Sequence, residues 1–310
     1  MSLDQLQQGT VAVLLGGNSA EREVSLQSGK TVVTAVQSLG LNVLAVDPAE
    51  PDWAAQLDNV SLAFIALHGP GGEDGSMQGA LQTLDIPYTG SGVLGSALAM
   101  DKKRSKQLWQ GIGLATGGFV TLRRNTDWQG VIDRYGKVFV KPTCEGSSIG
   151  MSSAQSADAL RSAFDLASEY GSEVMAEQFI DGPEYTVAVL GDVALPSIRL
   201  ETDNEFYDYE AKYHSDETRY HCPSGLDDRE EAEIAALSLR AFQSLGCSVW
   251  GRVDLMRAAD GRFFVLEVNT VPGMTSHSLV PIAAAAAGMK IPTLVQRILQ
   301  LSIGEGQQHG

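Results

Sequence analysis

Three apolar runs set the first constraint on this chain. They are VAVLLGG at 11–17, LNVLAV at 41–46 and LAFIAL at 62–67. The first is followed by a helical pattern that places Val24, Val32, Val36 and Leu39 on one face. Buried strands alternating with helices imply βα units and a parallel sheet. Ligand loops of such a sheet lie at the carboxyl ends of its strands, and GGNSAE and HGPGGEDG both occupy such ends.

The texture then changes. A helix is expected over 93–110, carrying MDKKRSKQLW, and from about 119 FVTL, KVFVKP, a helix at 157–170 and EVMAEQFI suggest a smaller α+β unit. From about 184 come the strands EYTVAVLG and ALPSIRLE, a helix with an acidic start at 229–245, and a hairpin, VWGRVDLMRAADGRFFVLEVN. Asp260-Gly261 marks the turn of that hairpin. Helices continue to about 303. The division expected is an N-terminal Rossmann-like domain at 1–96, a central domain at 97–183 and a C-terminal domain at 184–310.

Composition excludes several classes. Lys plus Arg number 22 and Asp plus Glu 38, so the net charge is −16, the wrong sign for a non-specific nucleic-acid binder. No run approaches the ~20 apolar residues of a membrane span, and the N-terminus lacks a signal-like apolar stretch. A cytoplasmic protein is the expectation. The three cysteines, Cys144, Cys222 and Cys247, form no CxxC and are read as free thiols. A dinucleotide-binding oxidoreductase is disfavoured, because no G-x-G-x-x-G follows the first strand.

Several constellations have chemical potential. Lys141 ends the strand VFVKP and precedes CEGSSIGMS, whose backbone N–H groups and hydroxyls suit phosphate oxygens; an ordinary turn is the plain alternative. Lys102 opens a second basic segment. In the hairpin, Arg252 and Asp254 share one face of their strand, and Glu267 and Asn269 share one face of theirs. If the strands pair, three oxygen ligands converge in a way that suits Mg²⁺; a half-exposed polar face is the alternative. Ser276 and Ser278 precede an apolar helix near Leu279, as anion ligands or as plain caps. Asn18 and Glu21 fit a capping box, or Glu21 holds a substrate ammonium. His68 ends a buried strand before a glycine-rich loop, as a site residue or a strand cap. Residues 203–223, DNEFYDYEAKYHSDETRYHCP, lack a regular period and hold Tyr207, Tyr209, Tyr213 and Tyr220. A long irregular segment of this kind is either an ordered surface excursion with a few rings tucked against the body or an active-site lid.

The blocks LHGPGGEDGSMQG, PYTGSGVLGSALAMDK, KPTCEGSSIGMS, DGPEYTVAVL, FYDYEAKY, GRVDLM and LEVNTVPGMTSHSLVP together closely resemble the D-alanine–D-alanine ligases of the ATP-grasp superfamily. The resemblance covers nearly the whole chain. It implies α/β and α+β architecture, an ATP-grasp fold with an N-terminal Rossmann-like parallel-sheet domain, and ATP held between the central and C-terminal domains. It implies that Lys102, Lys141 and Lys212 meet ATP phosphates, that Glu177, Gln178, Phe179 and Ile180 meet the adenine, and that Glu184 meets the ribose. Asp254, Glu267 and Asn269 would bind two Mg²⁺ or Mn²⁺ ions, and a monovalent cation is a further candidate. Glu21, supported through Ser147 and Tyr213, would hold the first D-alanine. Arg252 and the Gly273 backbone would stabilise the tetrahedral intermediate, and His68, Ser278 and Leu279 would contact substrate. A homodimer is implied, with no nucleic-acid or membrane partner. Two positions depart from the family's pattern: Cys144 stands where a polar residue is common, and LATGGFVTL lacks an expected proline.

Overall fold

The computed structural model describes residues 3–146, 150–171, 173–201 and 219–305. A short helix α1 (Leu3–Gln8) leads into β1 (Thr10–Leu14), α2 (Arg22–Ser38), β2 (Asn42–Val46) and β3 (Leu62–Ile65). These strands form the parallel sheet that the sequence pattern predicts, in the order β2-β1-β3. The expectation that LNVLAV is buried fails: β2 is an edge strand and only its last residue, Val46, is buried. Helix α2 buries Ser25, Ser28, Gly29, Val32, Ala35 and Val36, so its inner face is small and polar near its start and apolar only further on.

Next come α3 (Ser76–Thr83), α4 (Val93–Met100) and α5 (Lys102–Gly111). The single helix expected over 93–110 is therefore two. Asp101 breaks it: its backbone is extended, and its carboxylate caps α5 by accepting from the Arg104 N–H at 2.9 Å. Strands β4 (Phe119–Leu122), β5 (Val138–Pro142), β6 (Ser152–Ala154) and β7 (Val174–Gln178) form an antiparallel sheet ordered β4-β7-β5-β6. Helices α6 (Trp128–Tyr135) and α7 (Ala157–Ala167) cover it through a core that includes Val131, Leu160 and Ala163.

The third sheet contains β8 (Glu184–Leu190), β9 (Val193–Ala194), β10 (Ile198–Glu201), β11 (Arg219–His221), β12 (Trp250–Arg257) and β13 (Phe263–Asn269). Its order is β11-β10-β8-β12-β13, with β9 paired to β8. The segment expected to be an irregular lid thus ends in a strand: β11 pairs with β10, and Tyr220 packs on the main core. Tyr207, Tyr209, Lys212 and Tyr213 lie outside the described residues. Helix α8 (Asp228–Ser244) begins with a complete capping box between Asp227 and Glu230 and packs on this sheet. Helices α9 (Leu279–Ala286) and α10 (Ile291–Glu305) return to the first sheet, and Leu294, Val295, Ile298 and Leu299 join its core.

The β12–β13 hairpin places the site. Its turn is a hydrogen-bonded loop in which the Gly261 N–H donates to the Ala258 carbonyl at 2.9 Å, with Gly261 left-handed at φ 87°. The register pairs Arg252 with Asn269 and Asp254 with Glu267, then shifts so that Leu255 meets Val265. Leu266 is the extra residue of a β-bulge. Phe263 and Val265 therefore face the core on one side of it, and Val268 does so on the other.

Gly251 fits this hairpin tightly. An added Cβ would lie 2.5 Å from Phe242 Cε2 and 2.8 Å from the Asn269 carbonyl oxygen. Gly251→Ala is expected to lower stability by about 1–3 kcal/mol through overpacking, measured by chemical denaturation.

Candidate active site

Glycines at the carboxyl ends of β1 and β3 shape one half of the site. The Gly16 N–H donates to Ser25 Oγ at 2.9 Å, and Ser25 Oγ donates to the Ala66 carbonyl at 2.7 Å. Glu21 is itself the N-cap residue of α2, 7% exposed, and its N–H donates to Ser19 Oγ at 3.2 Å, so the capping box with Asn18 as the cap is set aside. Its carboxylate lies against two glycines instead. A Cβ at Gly69 would be 2.6 Å from Glu21 Oε2, and one at Gly146 would be 2.7 Å from it. Glu21 is thus held where the β1, β3 and β5 loops meet. Ser147, expected to support it, lies outside the described residues.

His68 is buried and bound on both ring nitrogens. The Met274 N–H donates to Ser28 Oγ at 3.1 Å. The Ser28 hydroxyl can then give its proton to His68 Nε2, 3.0 Å away, which leaves Nδ1–H to face Glu73 Oε1 at 3.4 Å. Burial holds the Glu73 carboxyl above its ordinary pKa; His68 offsets this in part and Glu21 adds to it. Ser28 also lies beneath Gly273, where an added Cβ would meet Ser278 Oγ at 2.8 Å. Ser278 is the N-cap residue of α9, and its Oγ accepts the Thr275 N–H at 3.1 Å. Leu279 follows as the first, buried residue of that helix. The structure therefore brings His68, Gly273 and Ser278 together around Ser28, which sequence reasoning missed.

The hairpin supplies the other half. As the spacing predicts, Arg252, Asp254, Glu267 and Asn269 occupy paired positions on one face. Arg252 Nε and Nη2 grip the two Asp254 oxygens at 2.8 and 2.7 Å. Thr186 Oγ1 donates to Asp254 Oδ1 at 2.6 Å, and Asn269 Nδ2 to Oδ2 at 3.0 Å. Lys102 approaches from α5: its Nζ lies 3.0 Å from Glu267 Oε2 and donates to the Glu145 carbonyl at 2.7 Å. Burial opposes the Lys102 charge, but Glu267 outweighs it and holds the pKa above its ordinary value. A small cavity lined by Glu73, Lys102, Gly146, Glu267 and Asn269 joins the two halves.

Lys141 ion-pairs with Glu177, and so does Lys106 from the opposite side. Lys106 is fully buried, and its ammonium also donates to Thr116 Oγ1 at 2.6 Å and to the Val265 carbonyl at 3.3 Å. Burial pushes Glu177 up, but the two ammoniums overcome it and leave the carboxyl below its ordinary pKa. Lys106 itself is lowered, chiefly by burial. The two partners thus shift in opposite senses with respect to charge. Three oxygen partners around the Lys106 ammonium favour the charged pair. Sequence inspection passed over Lys106, although Lys102, Ser105, Lys106 and Trp109 follow the i, i+3, i+4, i+7 spacing of one buried helix face.

Past Glu177 the chain stays close to β5. The Gln178 N–H donates to the Gly118 carbonyl at 2.7 Å and the Phe179 N–H to the Lys137 carbonyl at 3.0 Å. Phe179 packs 5.2 Å from Phe139, with the Lys137 ammonium over its ring at 3.8 Å. Ile180 is half-buried, and Glu184 opens β8 opposite Leu200 and Met256. Among the described residues, no cluster of three His, Cys, Asp or Glu side chains is placed to hold a metal. The candidate metal set includes Asn269, and its oxygen donors have the chemistry that a hard divalent cation requires.

Comparisons with known proteins agree over nearly the whole chain. A family model described as D-ala D-ala ligase C-terminus matches residues 108–300, and one described as D-ala D-ala ligase N-terminus matches residues 47–91. The D-alanine–D-alanine ligase of Alkalilimnicola ehrlichii is 53% identical over 292 residues, 94% of each chain. The crystal structure of the D-alanine–D-alanine ligase of Bacillus anthracis complexed with ATP is similar with a TM-score of 0.87 at 31% identity, covering 97% of this chain and 100% of that one. The VanG D-Ala:D-Ser ligase of Enterococcus faecalis is similar with a TM-score of 0.83 at 29% identity, covering 95% and 99%. The sheets and helices above are those of the ATP-grasp fold, and the chain belongs to the D-alanine–D-alanine ligase family.

Proposed function

We propose that this protein joins two D-alanines to D-alanyl-D-alanine at the expense of ATP, through a D-alanyl phosphate, for peptidoglycan precursor synthesis. The observation that carries the reading is the register of β12 and β13, which gathers Arg252, Asp254, Glu267 and Asn269 on one face beside Lys102.

A carboxylate is a poor electrophile. In the first step a carboxylate oxygen of D-alanine bonds to the γ-phosphorus, and the bond to the bridging oxygen breaks to release ADP. In the second, the amine nitrogen of another D-alanine bonds to the acyl carbon. The C–O bond to phosphate breaks, inorganic phosphate leaves, and the amine loses its protons to solvent or phosphate. Glu21 holds the ammonium of the first D-alanine. Lys102 and Lys141 balance charge on the phosphates, and residues 177–180 with Glu184 hold adenine and ribose. Arg252 and the Gly273 N–H stabilise the oxyanion, while His68, Ser278 and Leu279 seat substrate. Asp254, Glu267 and Asn269 would hold Mg²⁺ or Mn²⁺. Bound there, the metal supplies neutralisation of the transferred phosphoryl group. Acyl phosphates hydrolyse, which gives residues 203–223 their proposed role of excluding water.

We further propose domain boundaries near 96 and 183, a cytoplasmic location and a homodimer. Among the described residues, no single helix is long and apolar enough to cross a membrane.

ADP release is expected to require D-alanine and to be unmoved by L-alanine; release indifferent to D-alanine would refute the reading. D-Serine or D-lactate replacing D-alanine as the preferred second substrate would move the protein to the class of the VanG enzyme or a depsipeptide-forming relative. Chelation with EDTA should abolish turnover, and Mg²⁺ or Mn²⁺ should restore it. Glu267→Gln should lower turnover by about 100-fold or more with an unchanged circular dichroism spectrum. Near-normal turnover would remove Glu267 from the metal set.

A further inference from the structure

The buried charges of the nucleotide half are unevenly exposed. Glu177 is 2% exposed and takes an ammonium on each oxygen: Lys106 on Oε1 and Lys141 on Oε2. Lys141 keeps 6% of its surface, whereas Lys106 keeps none. Lys106 therefore cannot touch a ligand. Its remaining hydrogen bonds go to Thr116 Oγ1 and the Val265 carbonyl, and Thr116 Oγ1 donates to that same carbonyl at 2.7 Å. The Val265 N–H in turn donates to the Ala115 carbonyl at 2.9 Å. One ammonium thus ties β7 of the four-stranded sheet to β13 of the six-stranded sheet.

We propose that Lys106 is a positioning residue for the nucleotide: by sharing the charge of Glu177 it leaves the Lys141 ammonium with net positive charge toward phosphate. Two ammoniums and one carboxylate give the group a charge of +1. Without Lys106 the charge is zero, and Glu177 draws Lys141 into a closed pair of its own. Charges in this setting are poorly screened, so the difference reaches a phosphate a few ångströms away. The inference rests on ATP being the ligand of this half of the site.

The test is a double-mutant cycle on the full-length protein, with MgATP and adenosine as probes in titration calorimetry. Lys106→Met should weaken MgATP binding by about tenfold or more when Glu177 is present. In the Glu177→Gln background, where Lys141 has no carboxylate to neutralise it, the same substitution should cost less than about threefold. Adenosine, which carries no phosphate, should change by less than about threefold in either background. Equal losses of MgATP in both backgrounds, or an equal loss with adenosine, would make Lys106 a packing residue and overturn the proposal. If thermal melting shows that Lys106→Met does not fold, Lys106→Gln replaces it. That variant keeps donors for Thr116 and Val265 while removing the charge, and the same outcomes apply. If the unsubstituted protein binds no MgATP, it is the ligase reading that fails, since the cycle is then never entered.

Discussion

A cation enclosed by protein survives only beside an anion, because the cost of leaving it unpaired exceeds what most packing can offset. That constraint organises the centre of this molecule. Lys102 meets Glu267, Lys106 and Lys141 meet Glu177, and Arg252 meets Asp254. The lysine pairs cross between elements, α5 to β13 and α5 and β5 to β7, while Arg252 and Asp254 pair within β12. The sheets could be built from apolar strands alone. Their placement around a polar centre draws on these contacts, and two of the carboxylates, Asp254 and Glu267, belong to the candidate metal set.

The other half of the site obeys a different rule. Around Glu21, His68 and Gly273 the partners are mostly backbone groups, small hydroxyls and glycines, with Glu73 beside His68, so the walls come close and leave little freedom. A site of this kind suits a small zwitterion, whose two charged ends lie only a few atoms apart. In the proposed function the hairpin half, with Lys102 beside Glu267, takes the phosphate side. The cavity lined by Glu73, Lys102, Gly146 and Glu267 is where the two kinds of surface meet, as a reaction between an amino-acid carboxylate and a phosphoryl group demands.

Much of this was legible in the sequence for identifiable reasons. Period-2 spacing gave the shared faces of Arg252 with Asp254 and of Glu267 with Asn269, because alternation along a strand is local geometry. Apolar runs separated by helical pattern gave the parallel sheet. What escaped depended on tertiary neighbours. LNVLAV reads as buried, but which strand lies at an edge is decided by sheet order. Asp101 looks like one more polar residue in a helix until its cap on Arg104 is seen. Ser28 and Lys106 are both on buried helix faces, yet hydropathy assigns them outward, since a buried polar residue is intelligible only through its partners.

The bulge at Leu266 carries a consequence of its own. Odd-numbered positions 263 and 265 face the core, while odd-numbered 267 and 269 face the site. The extra residue is what reverses the parity. Loss of a single codon here would delete no side chain with chemical work to do, and composition would hardly register it. Yet the surviving strand would have to turn either its aromatic and valine positions outward or its metal-set oxygens into the core. Heredity at this spot therefore preserves a count as well as an alphabet: the gene must keep the interval between Phe263 and Glu267 as faithfully as it keeps the glutamate.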